Sequence, residues 1–104
     1  VWDLAYAAHQ FVPFHPTADL AAWGWSAEPD RSGRLRLFLS AYGLDIAAAS
    51  VVDAAVVRLA SMGAFIGREV AAGNPAFAVH AREDHAAGYL KAAAWIVGER
   101  ARLL

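Results

Sequence analysis

The chain has 104 residues, a formal net charge of −1 and no cysteine, which bounds it to one module and excludes a disulfide framework, a thiolate metal site and a basic stripe for nucleic acid. Apolar residues make up 59% and charged residues 18%, against about 45–50% and about 25% in ordinary soluble domains. A quarter of the chain is small, helix-favouring alanine, but four Trp, five Phe and three Tyr exceed what so small a bundle can enclose, which predicts apolar surface left for a neighbour.

The patterning predicts an all-α chain, an irregular bundle of four to five helices forming a single helical (sub)domain over 1–104. A first helix is expected over 2–12, with Leu4, Ala8 and Phe11 on one stripe and Ala5 and Val12 beside it. Pro13 and Pro16 end it. Three prolines, Gly24 and Ser26 then mark an irregular connection, in which Ala18 to Trp23 forms one short helix and Trp23 and Trp25 anchor the loop to the bundle.

Asp30 or Ser32 caps a second helix over 31–42, with Leu35, Phe38, Leu39 and Tyr42 inward, Arg34 and Arg36 outward, and Gly43 at its left-handed end. A third helix over 46–72 follows Asp45 as its expected cap and ends at Gly73. Its stripe of Val52, Val56, Leu59, Gly63, Ile66 and Val70 suits antiparallel bundle packing. Its most apolar part, Ile46 to Leu59, is interrupted by Asp53 and Arg58 and falls short of the ~18 residues of a membrane span, so no membrane is expected.

Gly73-Asn74-Pro75 places a helix-ending glycine, a capping asparagine and a first-turn proline in succession. A fourth helix over 75–102 follows, either unbroken or bent near Glu83 to Gly88. Both versions put Tyr89, Ala93 and Ile96 on one face. The absence of an N-terminal leader pattern and of cysteine predicts a cytoplasmic protein, and a pattern that opens in mid-helix at Val1 predicts a chain cut from something longer.

Complete catalytic sets are missing. His80 and His85 stand five apart and diverge by about 140° on a continuous helix, so a solvated face with a His80–Asp84 pair is expected instead of a metal site. His9 and His15 flank the Pro13-Phe14 turn without a neighbouring acid to orient them as bases, and read as partly buried polar contacts. No serine sits in a nucleophile elbow. Gly63 and Gly67 lack the context of a phosphate loop and only permit close helix approach. Lys91, the sole lysine, is expected in an exposed turn.

Three stretches nevertheless carry a resemblance. Val1-Trp2-Asp3-Leu4-Ala5-Tyr6-Ala7-Ala8 followed by Phe11-Val12-Pro13-Phe14, the run from Arg34 to Asp45, and Ala71-Ala72-Gly73-Asn74-Pro75-Ala76-Phe77 look like successive motifs of the aminoglycoside phosphotransferase and choline kinase-like family. There a W/H-D-L-A-Y-A helix comes just after the metal-binding Asp. The resemblance spans nearly the whole chain and implies the C-terminal helical part of a kinase-like fold.

It also implies what lies elsewhere. Such enzymes need a nucleotide-binding lobe with its Lys, an H-x-D-x-x-x-x-N loop and a metal-binding Asp, none of which occurs in these residues. ATP (or GTP) and Mg are accordingly expected in the parent enzyme, with no cofactor, metal or catalytic residue in this chain alone. The implied partners are the N-terminal part of the same enzyme and a small-molecule hydroxyl acceptor, with self-association expected for the isolated piece and no nucleic acid.

By resemblance Asp3 corresponds to a buried acid that braces the catalytic loop through its backbone N–H groups; from the residues alone it is an acid favourably placed near a helix start. The resemblance further implies that His15, Asp19, Trp23, Trp25 and Glu28 help wall the acceptor site, although acids scattered through the sequence promise no strong negative field. The rival reading is a non-catalytic helical interaction module that dimerises through its tryptophans.

Overall fold

A computed structural model describes residues 2–43 and 45–104; Val1 of the first motif and Leu44 of the second lie outside them. The elements run α1 (Trp2–Phe11), α2 (Thr17–Ala22), α3 (Arg31–Tyr42), α4 (Ala48–Ala71), a 3-10 turn (Pro75–Phe77), α5 (Ala78–Glu83) and α6 (His85–Leu103), with no strand among the described residues. The all-α bundle is as the patterning requires. Its radius of gyration, 14.4 Å, exceeds the ~13 Å of a compact domain of this length, in keeping with its elongated extents of 42 × 30 × 22 Å, and its most extensive helix pairing is that of α4 with α6.

The core is where α1, α3 and α6 meet α4. Leu4, Ala5, Ala8, Val12 and Phe14 pack with Leu35, Phe38, Val51, Val52, Ala55, Leu59, Ala93 and Ile96 in one continuous cluster. The α4 stripe is buried at Val52, Leu59, Gly63 and Ile66 and half-buried at Val56 and Val70. Gly63 sets the approach of α6: a Cβ there would lie 2.8 Å from Leu90 Cγ and 3.0 Å from the Ala86 carbonyl oxygen. Gly67 meets nothing. The whole of α4, longer than the stretch read from sequence, is long and apolar enough to cross a membrane by length and composition, with mean hydropathy 1.6 over its most apolar window; here it is the central strut of the bundle.

Several boundaries move. Asp30 caps α3, accepting from the Gly33 N–H at 3.1 Å, and Gly43 closes it at φ 65°. Asp45 caps nothing: Ile46 is drawn half into the core, the chain stays extended through Ala47, and α4 starts too late for Asp45 to reach its free N–H groups. At the other end of α4, Gly73 (φ 75°) donates to the Val70 carbonyl and Asn74 to the Glu69 carbonyl, the paired bonds of a Schellman ending.

Of the two versions of the fourth helix over 75–102 the bent one is found, with the break inside the expected Glu83 to Gly88. Asn74 caps only a 3-10 turn at Pro75–Phe77, and Asp84 adopts the left-handed conformation, φ 54°, between α5 and α6. Aspartate tolerates that region better than most residues, and no residue of α5 is buried, so no apolar seam holds the helix straight there. Lys91 is consequently helical and not in a turn.

The aromatic residues differ most from expectation. Tyr42 is exposed, its ring tilted against Phe38 at 4.9 Å, because it stands at the end of α3 beyond the core, and Phe11 is also exposed. Trp23 and Trp25 are 61% and 40% exposed and do not anchor the connection. Buried Phe14, Leu20 and Arg31 do so instead.

Candidate functional site

Arg31, at the start of α3, is a buried cation surrounded by acceptors. Its Nε donates to the Pro13 carbonyl at 3.1 Å, Nη2 to the His15 carbonyl at 2.7 Å and to Thr17 Oγ1 at 3.2 Å, and Nη1 to Glu28 Oε1 at 3.2 Å. The guanidinium also lies 4.5 Å over the Trp95 ring of α6. Arg34, one turn on, donates to the Phe11 carbonyl at 3.0 and 2.7 Å. Both arginines bind backbone oxygens that the end of α1 leaves without helical partners, and so fix the path of residues 12–17.

That path presents His15 to a cleft. Asp19 and Trp23 of the α2 region line one side with it, and Glu83, Asp84, His85, Gly88 and Tyr89 from the α5–α6 corner line the other, around a cavity of about 290 Å³. Trp23 meets the His15 ring edge-on at 4.9 Å. Lys91 Nζ reaches across to Asp19 Oδ1 at 2.8 Å, and Glu83 Oε2 pairs with His85 Nε2 at 2.7 Å. Behind His15 lies His9, 4.4 Å between ring centroids, with Tyr6 and Tyr89 flanking it.

The electrostatics follow from burial. His9 is 4% exposed with neither ring nitrogen hydrogen-bonded, and burial together with the neighbouring His15 pushes its pKa down to about 4. His15 is pushed down too, mainly by burial, with Asp19 opposing and Arg31 adding to the shift. Both rings are therefore neutral at pH 7. Burial and a 3.5 Å contact with the Tyr6 hydroxyl push the Tyr89 phenol up to about 12. Asp19, Glu83 and Asp84 thus gather three carboxylates around the neutral His15 ring and two aromatic faces, Asp19 being paired with Lys91 and Glu83 with His85.

The structure brings together three of the five wall residues expected from sequence, His15, Asp19 and Trp23. Glu28 turns away to Thr17 and Arg31 and borders a separate cavity of about 300 Å³ with Trp95, Glu99 and Arg102, while Trp25 lies under Arg34. Asp3, a buried acid by the resemblance, is not buried within this chain: it stands in the first turn of α1 with its carboxylate fully in solvent, touched by Arg58 Nη1 at 3.2 Å. The same Arg58 nitrogen donates to the Trp2 carbonyl, and its guanidinium lies over the Trp2 and Tyr6 rings.

Glu83, Asp84, His85 and Tyr89 were not foreseen as wall residues, because a continuous helix would spread them round its circumference. The faded apolar pattern between Glu83 and Gly88 was the available signal. The same break corrects the histidine geometry: His80 and His85 do not diverge but meet Nδ1 to Nδ1 at 2.6 Å, in place of a His80–Asp84 pair. Two imidazoles on one zinc ion stand about 3.3 Å apart, so this closer contact is a hydrogen bond. Among the described residues no group of three or more His, Asp or Glu converges as a metal site.

Comparison with known protein families, curated proteins and solved structures returned no match for this chain.

Proposed function

We propose that this chain is the C-terminal helical subdomain of a nucleotide-dependent phosphotransferase that acts on a hydroxyl of a small molecule, bracing the catalytic loop and walling the acceptor site. The observation that carries the reading is the open end of α1. Trp2 is 48% exposed and the Asp3 carboxylate is fully accessible, so an acid in the motif position that braces a loop in the resembled family is free to accept N–H groups from a neighbouring segment. The cleft supports the second role. Asp19 and Glu83 are already paired with Lys91 and His85, so this cleft, with its polar groups set around the Trp23 and Tyr89 rings, suits a hydroxylated acceptor held by hydrogen bonds and ring contacts and not by a strong negative field.

On this reading the nucleotide and Mg²⁺ are held elsewhere in the parent enzyme, and the lack of a glycine-rich phosphate loop in the sequence is in keeping with that. Those functions fall to residues outside these 104, and no chemical step is assigned to this chain. What it contributes is position, which phosphoryl transfer depends on as much as on charge.

The rival reading, a non-catalytic helical interaction module, draws on the exposure of Trp2, Trp23 and Trp25. A coupled assay of the full protein containing this chain, with ATP or GTP, Mg²⁺ and a panel of hydroxylated amines and sugars, separates the two. Under the phosphotransferase reading Asp3→Asn lowers kcat at least ~10-fold, a loss of about 1.4 kcal/mol of transition-state stabilisation, with little change in nucleotide affinity. Wild-type turnover in that variant refutes the bracing role. Absence of nucleotide-dependent transfer to any member of the panel favours the interaction module.

A further inference from the structure

The break between α5 and α6 borders a cavity that the proposed acceptor site does not use. It encloses about 270 Å³ and is lined by Met62, Phe65 and Ile66 of α4, Phe77 of the 3-10 turn, His80 of α5 and Tyr89 of α6. Phe65 and Phe77 meet edge to face at 5.7 Å, and the His80 ring lies 5.4 Å from that of Phe77. The Tyr89 hydroxyl is taken up by that of Tyr6 at 3.5 Å. His80 therefore supplies the polar group of an otherwise aromatic and aliphatic wall, the make-up of a small-molecule site.

The hydrogen bonds along the corner fix what His80 offers. An ionised carboxylate only accepts, so His85 Nε2, 2.7 Å from Glu83 Oε2, carries a proton. With both rings neutral, His85 Nδ1 is then bare, and its 2.6 Å contact with His80 Nδ1 requires the shared proton to belong to His80 Nδ1. One proton per neutral ring leaves His80 Nε2 as a lone pair. An acceptor at that position selects a ligand that donates. The Glu83 charge at the far end of the chain strengthens the acceptor and disfavours an anion beside it. We propose that this cavity binds a small uncharged aromatic alcohol, a phenol, whose hydroxyl donates to His80 Nε2 while its ring packs against Phe65 and Phe77.

Size and affinity follow from the walls. An apolar cavity of about 150 Å³ already holds benzene, so a single ring with its hydroxyl fits. Phe65 is 48% exposed, which leaves the ligand partly in water, and so few atoms bind weakly, with a Kd on the order of 1 mM. The inference stands apart from the phosphotransferase reading. Of the six lining residues only Tyr89 also lines the acceptor cleft, and no nucleotide enters the test.

Nitrogen–proton correlation spectra of the imidazoles, recorded where both rings are neutral, should show His80 protonated at Nδ1 and His85 at Nε2. Phenol titrated into the protein should shift the His80 Nε2 resonance and saturate with a Kd on the order of 1 mM. Anisole, which has the ring without the hydroxyl proton, and benzoate, which has only acceptors and a negative charge, should bind at least ~10-fold more weakly. His80→Phe should abolish the preference for phenol over anisole, in a helix that has no buried residue to disturb. Glu83→Ala, which frees the His85 tautomer with His80 still in place, should reduce the same preference. A neutral His80 protonated at Nε2, anisole bound as tightly as phenol, a preference that survives both substitutions, or no saturable binding of phenol by about 10 mM would each overturn the proposal.

Discussion

Along α4 and α6 the chain is held by apolar side chains that recur with the helical period, whereas the connection from Val12 to Thr17, though Val12 and Phe14 enter the same core, also depends on two guanidinium groups that reach back to it from α3. Leu59 and Ile96 are wholly buried in the first region and contribute through water exclusion and close packing. In the second, Arg31 and Arg34 satisfy the carbonyls of Phe11, Pro13 and His15, groups that an irregular turn cannot satisfy by itself. The difference separates what gives the bundle its stability from what aims the cleft: the seam sets whether the chain folds, and the clamp sets where His15 points.

Leu59→Ala is the most disruptive change expected. It removes a fully enclosed side chain from the middle of the seam and should cost about 4 kcal/mol, visible as a large, global fall in Tm and in the denaturant midpoint. Arg31→Ala should cost less, about 3 kcal/mol, mostly through the Pro13 and His15 carbonyls and the Glu28 carboxylate left without their donor. Its signature should also differ. Amide exchange should accelerate at residues 14–20 before global unfolding, while the α4–α6 amides keep their protection. Equal acceleration in both regions would show that the clamp and the seam are one cooperative unit, and would break the distinction.

The same distinction accounts for what could be read from the sequence. The α4 stripe, the Asp30 cap, the Gly43 and Gly73 endings and the bounds of α3 were legible because each depends on residues within one or two turns of each other. Asp45 misled because the pull of Ile46 into the core, a tertiary effect, outweighed a local capping preference. Trp23 and Trp25 misled because size alone predicted burial, while Arg31 took the anchoring role through backbone oxygens that no side-chain pattern reveals. Within the candidate site, His15, Asp19 and Trp23 were found together because they lie within nine residues of one another. Their counterparts Glu83, Asp84 and His85 required the left-handed turn at Asp84, and one residue in an uncommon conformation leaves little trace in an averaged periodicity.

His9 offers the finest test, because it sits where the two regions touch, on α1 but behind His15. Its imidazole faces Tyr6, His15 and Tyr89 and has no hydrogen-bond partner. With a pKa near 4 folded and about 6.5 unfolded, the unfolded chain binds the extra proton first. Stability is therefore full above about pH 6.5 and falls as the pH drops towards 4, by on the order of 3 kcal/mol. His15, shifted in the same direction, adds to the loss. His9→Phe should leave stability at pH 7 unchanged or raised, since it replaces two unpaired ring nitrogens by carbon, and should flatten the acid limb of a plot of Tm against pH. An acid limb as steep as in the wild type would place the titration elsewhere and leave His9 as packing alone.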